Sequence, residues 1–392
     1  MKFLGYGRQT IDESDIAAVV ATLRGDYLTQ GPAVVAFEQA LAEYVGARYA
    51  VAVANGTAAL HVACLAAGLG SGDSGVTQAL TFAASANCMA YCGARPDLVD
   101  VDPDTLYMSS DSLREHLEQV PQCKVVIPVA MGGLSTGLAR IREIAGERII
   151  IEDACHALGG RIEQGAPVGG SGYADMTVFS FHPVKPITTG EGGAIVTDRE
   201  DLYRRMLALR SHGIVRAPDP LFDPYHADEP WYYEQQVLGY NYRLCDIQAA
   251  LGRSQLQRID TLISRRRDIA LYYDREFSDL EGVRLVQASP DFRQRSGHHL
   301  YALRIAFEDF GITRTAMMKA LKAEGIGSQV HYIPVHYHPY YRQRFIDRRF
   351  AVAESYYQEC LTLPCYPGLD DADLQRVVTG VKKVIAGLNR ND

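Results

Sequence analysis

The stretch YAVAVANGTAALHVACLAAGL, residues 49–69, decides the fold. After Tyr49 its first residues alternate small and β-branched apolar side chains, the composition of a strand buried on both faces. Asn55-Gly56 interrupts the run, and 57–69 continues as an apolar helix. A buried strand feeding a buried helix is the repeating unit of an α/β sheet. Working outward, KVVIPVA (124–130), RIIIE (148–152), MTVFSF (176–181) and GAIVT (193–197) read as further strands. Residues 35–45 fit a helix with Phe37, Leu41, Tyr44 and Val45 on one face. The alternation predicts a large, mostly parallel sheet with helices on both faces. In such sheets ligands collect beyond the carboxyl ends of the strands.

Near residue 250 the pattern changes. Residues 247–278 are charged and helical in period, and the run Arg265-Arg266-Arg267 reads as a solvated helix face. Strand-like pieces follow at 283–286 and 299–307, then a helix at 313–324, the aromatic stretch HYIPVHYHPYYR (331–342) and a last helix at 371–388. The expected division is a large α/β domain over 1–250 and a smaller α+β domain over 251–392.

Composition narrows the function. Apolar residues make up 47% of the 392 and charged residues 22%, as in a folded protein. Thirty-nine basic against 47 acidic side chains give −8, the wrong sign for a protein that lives on nucleic acid or on anionic lipid. No apolar run of about 18 residues argues for a membrane span. The start, MKFLGYGRQT, has no signal-peptide core, so a cytoplasmic location is expected. The eight cysteines include no C-x-x-C pair and read as thiols in a reducing compartment. Cys88 and Cys92 are one helical turn apart without a matching pair, so no metal is expected.

Three segments carry candidate chemistry. In Ala54-Asn55-Gly56-Thr57 a strand ends and a helix opens; its free N–H groups and the Thr57 hydroxyl suit an anion, although an ordinary capped helix fits the same residues. Asp153 ends an Ile-rich strand, where a carboxylate needs a cation such as a protonated ring nitrogen, and His156 stands three residues on. Ser180 ends the next strand, and Lys185 precedes a Thr/Gly-rich loop. A lysine held among apolar groups and cations has a lowered pKa and attacks carbonyls. Together the segments call for a ligand with an aldehyde, a basic ring nitrogen and a phosphate, which is the description of pyridoxal 5'-phosphate (PLP).

These residues, with LTQGP (28–32), NGTAAL (55–60), Thr81-Phe82, Glu152-Asp153-Ala154, 179–185, Arg210 to Gly213, Gly239 to Arg243 and LPCYP (363–367), resemble the DegT/DnrJ/EryC/StrS sugar aminotransferases, PLP enzymes of fold type I. Within that family Tyr6, 28–31, His182 to Thr189 and Gln329 to Pro334 resemble the pseudaminic acid branch. The resemblance implies transfer of an amino group from L-glutamate to C4 of a UDP-linked 4-keto-6-deoxy-N-acetylhexosamine. The product would be UDP-4-amino-4,6-dideoxy-N-acetyl-β-L-altrosamine.

The same resemblance implies the site. Lys185 joins the cofactor aldehyde and Asp153 pairs with the ring nitrogen. His156 lies beside the ring oxygen and Phe82 on the ring face. Gly56, Thr57 and Ser180 hold the phosphate, with Asn241 reaching it from the partner of a homodimer. Sugar-nucleotide contacts come from Tyr6, from Asp26, Tyr27, Leu28 and Thr29, and from Gln329, Val330, His331 and Tyr332, His331 being the one expected on a nucleotide phosphate. Residues 76–80 and 130–133 depart from the family pattern beside this region, and 218–233 is longer and more aromatic than expected. Competing readings are a 3- or 4-keto sugar on another nucleotide (GDP or dTDP), a sugar dehydratase, which would carry histidine in place of Lys185, and a non-catalytic PLP-binding regulator.

Overall fold

The computed structural model describes residues 2–216, 223–226 and 228–388. Seven strands, β1 (Tyr49–Val53), β2 (Ser74–Gln78), β3 (Arg95–Val99), β4 (Cys123–Ile127), β5 (Ile149–Asp153), β6 (Met176–Ser180) and β7 (Gly193–Thr197), form one sheet. Their order is β1-β7-β6-β5-β4-β2-β3. β2 to β6 run parallel, while β7 is antiparallel to both β6 and β1. The mostly parallel α/β sheet expected from the sequence is present, with one reversed strand inside it. That reversal matters for the site, because it brings the start of β7 to the edge where the other strands end.

β2 and β3 were not among the expected strands, for physical reasons. β2 (SGVTQ) has a polar composition that is satisfied only by its neighbours. Thr77 Oγ1 donates to the Ile127 carbonyl at 2.8 Å, and Gln78 Nε2 donates to the carbonyls of Leu80 and Leu106, both at 3.0 Å. β3 contains Pro96, tolerated because β3 is the outer strand of the sheet.

A two-residue ribbon of β8 (Ile214–Val215) and β9 (Glu234–Gln235) brackets the 218–233 segment, which lies partly outside the described residues. Of its described side chains, Tyr225 and Trp231 are exposed. The charged stretch after 246 is two helices, Asp246–Leu256 and Ile259–Phe277, rather than one. A smaller antiparallel sheet follows, ordered β10 (Val283–Leu285), β11 (Tyr301–Ile305) and β12 (Cys360–Leu363), with helices Arg314–Ala323 and Asp371–Leu388 against it.

Phe37, Leu41, Phe179 and Phe181 lie in a core on the large sheet, and Val51, Leu60, Val125 and Ile151 in a second. The small sheet has a core of its own, which Leu4 joins from the N-terminal segment. Helix Ile259–Phe277 belongs to two of these cores. Ile259, Leu262 and Ile263 pack against the large sheet, and Ile269, Tyr273 and Phe277 against the small one. Arg266 sits between those contacts and is 1% exposed, which corrects the reading of the arginine run as a solvated face. Its two terminal nitrogens donate to backbone carbonyls brought in from other parts of the chain. Among the described residues no helix is long and apolar enough to cross a membrane.

Candidate active site

The carboxyl ends of the parallel strands and the start of β7 open onto a cavity of about 940 Å³. That is the upper end of the ~300–1,000 Å³ usual for small-molecule sites. The large sheet contributes Asn55-Gly56-Thr57 after β1, Thr81 and Phe82 after β2, Asp153 from β5, and Ser180 and Lys185 from and after β6. Tyr6, His299 and Gln329 to Tyr332 close it from the other side.

Asn55 caps helix Gly56–Ala66, its Oδ1 accepting from the Ala58 N–H at 2.8 Å. The N–H groups of Gly56 and Thr57 have no protein acceptor among the described residues and face the cavity. Ser180 stands against them: a Cβ on Gly56 would lie 3.0 Å from Ser180 Cβ. Gly193 is required next door, because a Cβ there would be 2.6 Å from the Asn55 carbonyl. The capped helix and the anion cradle are therefore one structure, and the two readings of this segment are compatible.

Asp153 is 5% exposed. Its Oδ2 accepts from Ser85 Oγ at 2.7 Å and its Oδ1 from the Cys155 N–H at 3.2 Å. Thr81 Oγ1 completes the chain, 2.7 Å from Ser85 Oγ; since Ser85 gives its proton to the carboxylate, Thr81 donates to Ser85. Among the described residues no cation is within ion-pair distance of Asp153, so this buried carboxylate points into the cavity without its counter-charge.

Lys185 is partly buried, and desolvation lowers its pKa below the usual lysine range; the nearby Arg266 guanidinium acts in the same direction, and Cys155 and Asp153 oppose it. Its Nζ lies 3.4 Å from His299 Nε2. His156 is held neutral by burial. Its Nδ1 accepts from the Gly132 N–H at 3.3 Å, so the ring proton sits on Nε2 and is donated to the Tyr332 hydroxyl at 3.1 Å. Gly132, with φ of 73°, belongs to the segment that departs from the expected pattern, and its backbone is what orients His156.

The expected residues divide into two groups. Gly56, Thr57, Phe82, Asp153, His156, Ser180, Lys185, Tyr6, Gln329, Val330, His331 and Tyr332 share the cavity. Phe82 presents an exposed ring there, 5.8 Å from that of Tyr332. Asp26, Tyr27, Leu28, Thr29 and Asn241 are exposed and lie outside the cavity of their own chain. His331 lies in the wall rather than on its surface: it is buried, bonded through Nδ1 to Thr362 Oγ1 at 2.9 Å, and pushed by desolvation to about 3. It faces the cavity as a neutral ring, able to donate one N–H but not to supply a charge.

Thr81, Ser85 and His299 were not singled out as polar contributors. Thr81 and Ser85 are one helical turn apart, a spacing that could have paired them. Nothing local to His298-His299 signals a lysine more than a hundred residues away.

The family model for DegT/DnrJ/EryC1/StrS aminotransferases matches residues 9–382. The chain belongs to that family. It is 38% identical over 390 residues to the spore coat polysaccharide biosynthesis protein SpsC of Bacillus subtilis, covering 98% of both chains. Its structure matches Helicobacter pylori PseC, an aminotransferase involved in the biosynthesis of pseudoaminic acid, with TM-score 0.87 and 30% identity over 98% of this chain and 100% of that one. Spr1654 of Streptococcus pneumoniae, solved in PLP and PMP forms, gives 0.87 and 28% for the PLP form over 98% and 99% of the two chains.

The chain is a PLP-dependent sugar aminotransferase of fold type I. Its residues fit the cofactor on their own evidence: open N–H groups at a helix start, a buried carboxylate without a counter-ion and a desolvated lysine face one cavity.

Proposed function

We propose that this aminotransferase moves the amino group of L-glutamate to C4 of a UDP-linked 4-keto-6-deoxy-N-acetylhexosamine, forming UDP-4-amino-4,6-dideoxy-N-acetyl-β-L-altrosamine for pseudaminic acid synthesis. One observation carries the chemistry: a lysine whose pKa is lowered by desolvation and a buried carboxylate open onto one cavity beside a helix N-terminus. The likeness to PseC supports the choice of sugar. So do Tyr6 and residues 329–332, which are the wall facing the cofactor residues.

PLP supplies an electron sink for the carbon that loses a proton. The protein's residues do the rest. Gly56, Thr57 and Ser180 take the phosphate, and Asp153, held by Ser85, favours the protonated ring nitrogen. Phe82 would cover a ring face, and His156, steered by Gly132 and Tyr332, would lie by the ring oxygen. Lys185, its pKa lowered by desolvation, is placed to accept the proton from the donor's α-carbon and to return a proton at C4 of the acceptor. In a homodimer the exposed Asn241 and residues 26–29 serve the partner's cavity. We place the enzyme in the cytoplasm.

A second reading, another keto sugar nucleotide, is favoured by the 38% identity to a spore coat polysaccharide protein. The test is turnover of UDP-, GDP- and dTDP-linked 4- and 3-keto sugars with L-glutamate, the products read by NMR. The UDP-linked 4-keto-N-acetylhexosamine should react fastest, with the new amine at C4. Preference for a dTDP sugar or for C3 amination removes the first reading, and no cofactor band shift with glutamate removes both.

A further inference from the structure

Arg266 is the most deeply buried of the large charged side chains, and amino transfer as described above gives it no task. It projects from the middle of helix Ile259–Phe277 and no carboxylate pairs with it among the described residues. Its Nη1 donates to the carbonyls of Cys365 at 2.6 Å, His299 at 3.3 Å and His298 at 3.4 Å. Its Nη2 donates to the Val184 carbonyl at 3.4 Å, and its Nε has no partner among the described residues. Burying a guanidinium without a counter-ion is costly, and a neutral side chain would fill the space more cheaply.

The four carbonyls explain its place. Val184 immediately precedes Lys185, in the loop after β6 of the large sheet. His298 and His299 lead into β11 and Cys365 follows β12, both of the small sheet. The contact at the reacting amine, Lys185 Nζ to His299 Nε2 at 3.4 Å, joins these same two sides. We propose that Arg266 is a positioning residue for amino transfer: by gripping the carbonyls of Val184 and His299 together it sets the Lys185–His299 contact. A planar fork suits this, since several carbonyls converge on one group; an ammonium on a flexible stem would not hold them in the same geometry.

Its charge acts in the same sense. Around Lys185 stand Asp153, Cys155 and His156 from the end of β5, His299 from the approach to β11, His331 from the opposite wall, and Arg266. The three histidines are held neutral by burial, and Asp153 and Cys155 favour the charged amine. Arg266 is the fixed cation of the group and lowers the amine's pKa in the same direction as desolvation.

The inference rests on Lys185 being the reactive lysine, not on which sugar binds. The test uses full-length Arg266→Lys and Arg266→Met, stripped of cofactor. Acetylation of Lys185 by acetic anhydride is followed by mass spectrometry from pH 6 to 10, beside the pH dependence of kcat and KM in the loaded enzyme. Expected is a rise of about one pH unit in the Lys185 profile for Arg266→Met and a smaller rise for Arg266→Lys. kcat should fall about tenfold or more with KM little changed. His299→Gln should lower kcat in the same way, and combining it with Arg266→Lys should add little. Lower melting temperature with an unchanged Lys185 profile makes Arg266 merely structural and overturns the proposal. If neither Arg266 variant folds, His299→Gln decides alone, and wild-type kcat there overturns it. A normal acetylation profile shift with no turnover of any keto sugar would instead count against the substrate reading alone.

Discussion

The hydroxyl of Ser85 donates to Oδ2 of Asp153 over 2.7 Å, and Thr81 backs that hydroxyl at the same distance. The carboxylate proposed to serve the cofactor ring is thus held from behind by residues that follow β2. Ser85→Ala removes a charge-assisted bond of about 1.5–3 kcal/mol and leaves the buried carboxylate less anchored. A loss of about ten- to a hundredfold in kcat is expected, with weaker cofactor retention measured by absorbance after gel filtration. Unchanged kcat would show that Asp153 needs no support.

Lys185→Ala should abolish amino-sugar formation, because no other lysine lines the cavity among the described residues. The variant is expected to stay folded and to bind cofactor without covalent attachment. Turnover at the wild-type rate, followed by NMR of the product, removes the assignment of Lys185.

The cradle can be closed by one methyl group. In Gly193→Ala the new Cβ would stand 2.6 Å from the Asn55 carbonyl and 2.7 Å from the Gly56 nitrogen. Overpacking of this kind costs about 1–3 kcal/mol and displaces the N–H groups proposed to hold phosphate. Cofactor affinity should fall about tenfold or more, while Gly70→Ala, where a Cβ meets nothing within 4 Å, should leave it unchanged. Equal affinity in both variants would show that the helix start is only a cap.

Burial sets the acid stability of the fold. His298 and His331 are pushed down to about 3, and His156 and His299 well below the usual 6.5, all chiefly by desolvation. Depressed histidine values mean stability that is complete above pH 6.5 and lost as pH falls towards 3, because the unfolded chain takes up the protons. Each histidine contributes up to ~1.4 kcal/mol per pH unit in that window. Glu152, raised to about 7 by burial, works the other way: its share is full below its usual 4.5 and lost as pH rises to about 7. Four protons outweigh one, so melting temperature should drop steadily from pH 6.5 to pH 5. A flat profile over that range contradicts the burial of these rings.

The proposed sharing of sites between protomers has its own test. Lys185→Ala and Asn241→Asp should each be inactive or nearly so, and mixing the two after unfolding and refolding should restore about a quarter of wild-type activity. Half of the dimers are then mixed, and each mixed dimer has one complete site. No recovery, with dimers present by light scattering, would place Asn241 outside the partner's site.

Much of the sheet was legible because its strands are apolar runs: β1, β4, β5, β6 and β7 announce themselves by composition. β2 and β3 do not, since the bonds of Gln78 and the edge position of Pro96 are properties of neighbours. Lys185, Asp153, Ser180 and Gly56-Thr57 were readable for a related reason, as each sits at a strand end or helix start and parallel topology sends all such ends to one side.

By itself, then, the order of residues determined the α/β class, the edge at which ligands bind and the cofactor chemistry, since these follow from local pattern and from functional groups a few residues apart. Tertiary structure alone decided that Ser85 stands behind Asp153, that His299 meets Lys185, that His331 is a neutral wall residue and that Arg266 is buried. The reason is dielectric as much as geometric. Whether a histidine or an arginine faces water or a packed interior depends on chain segments far away in sequence, and that surrounding fixes both its charge and its partners.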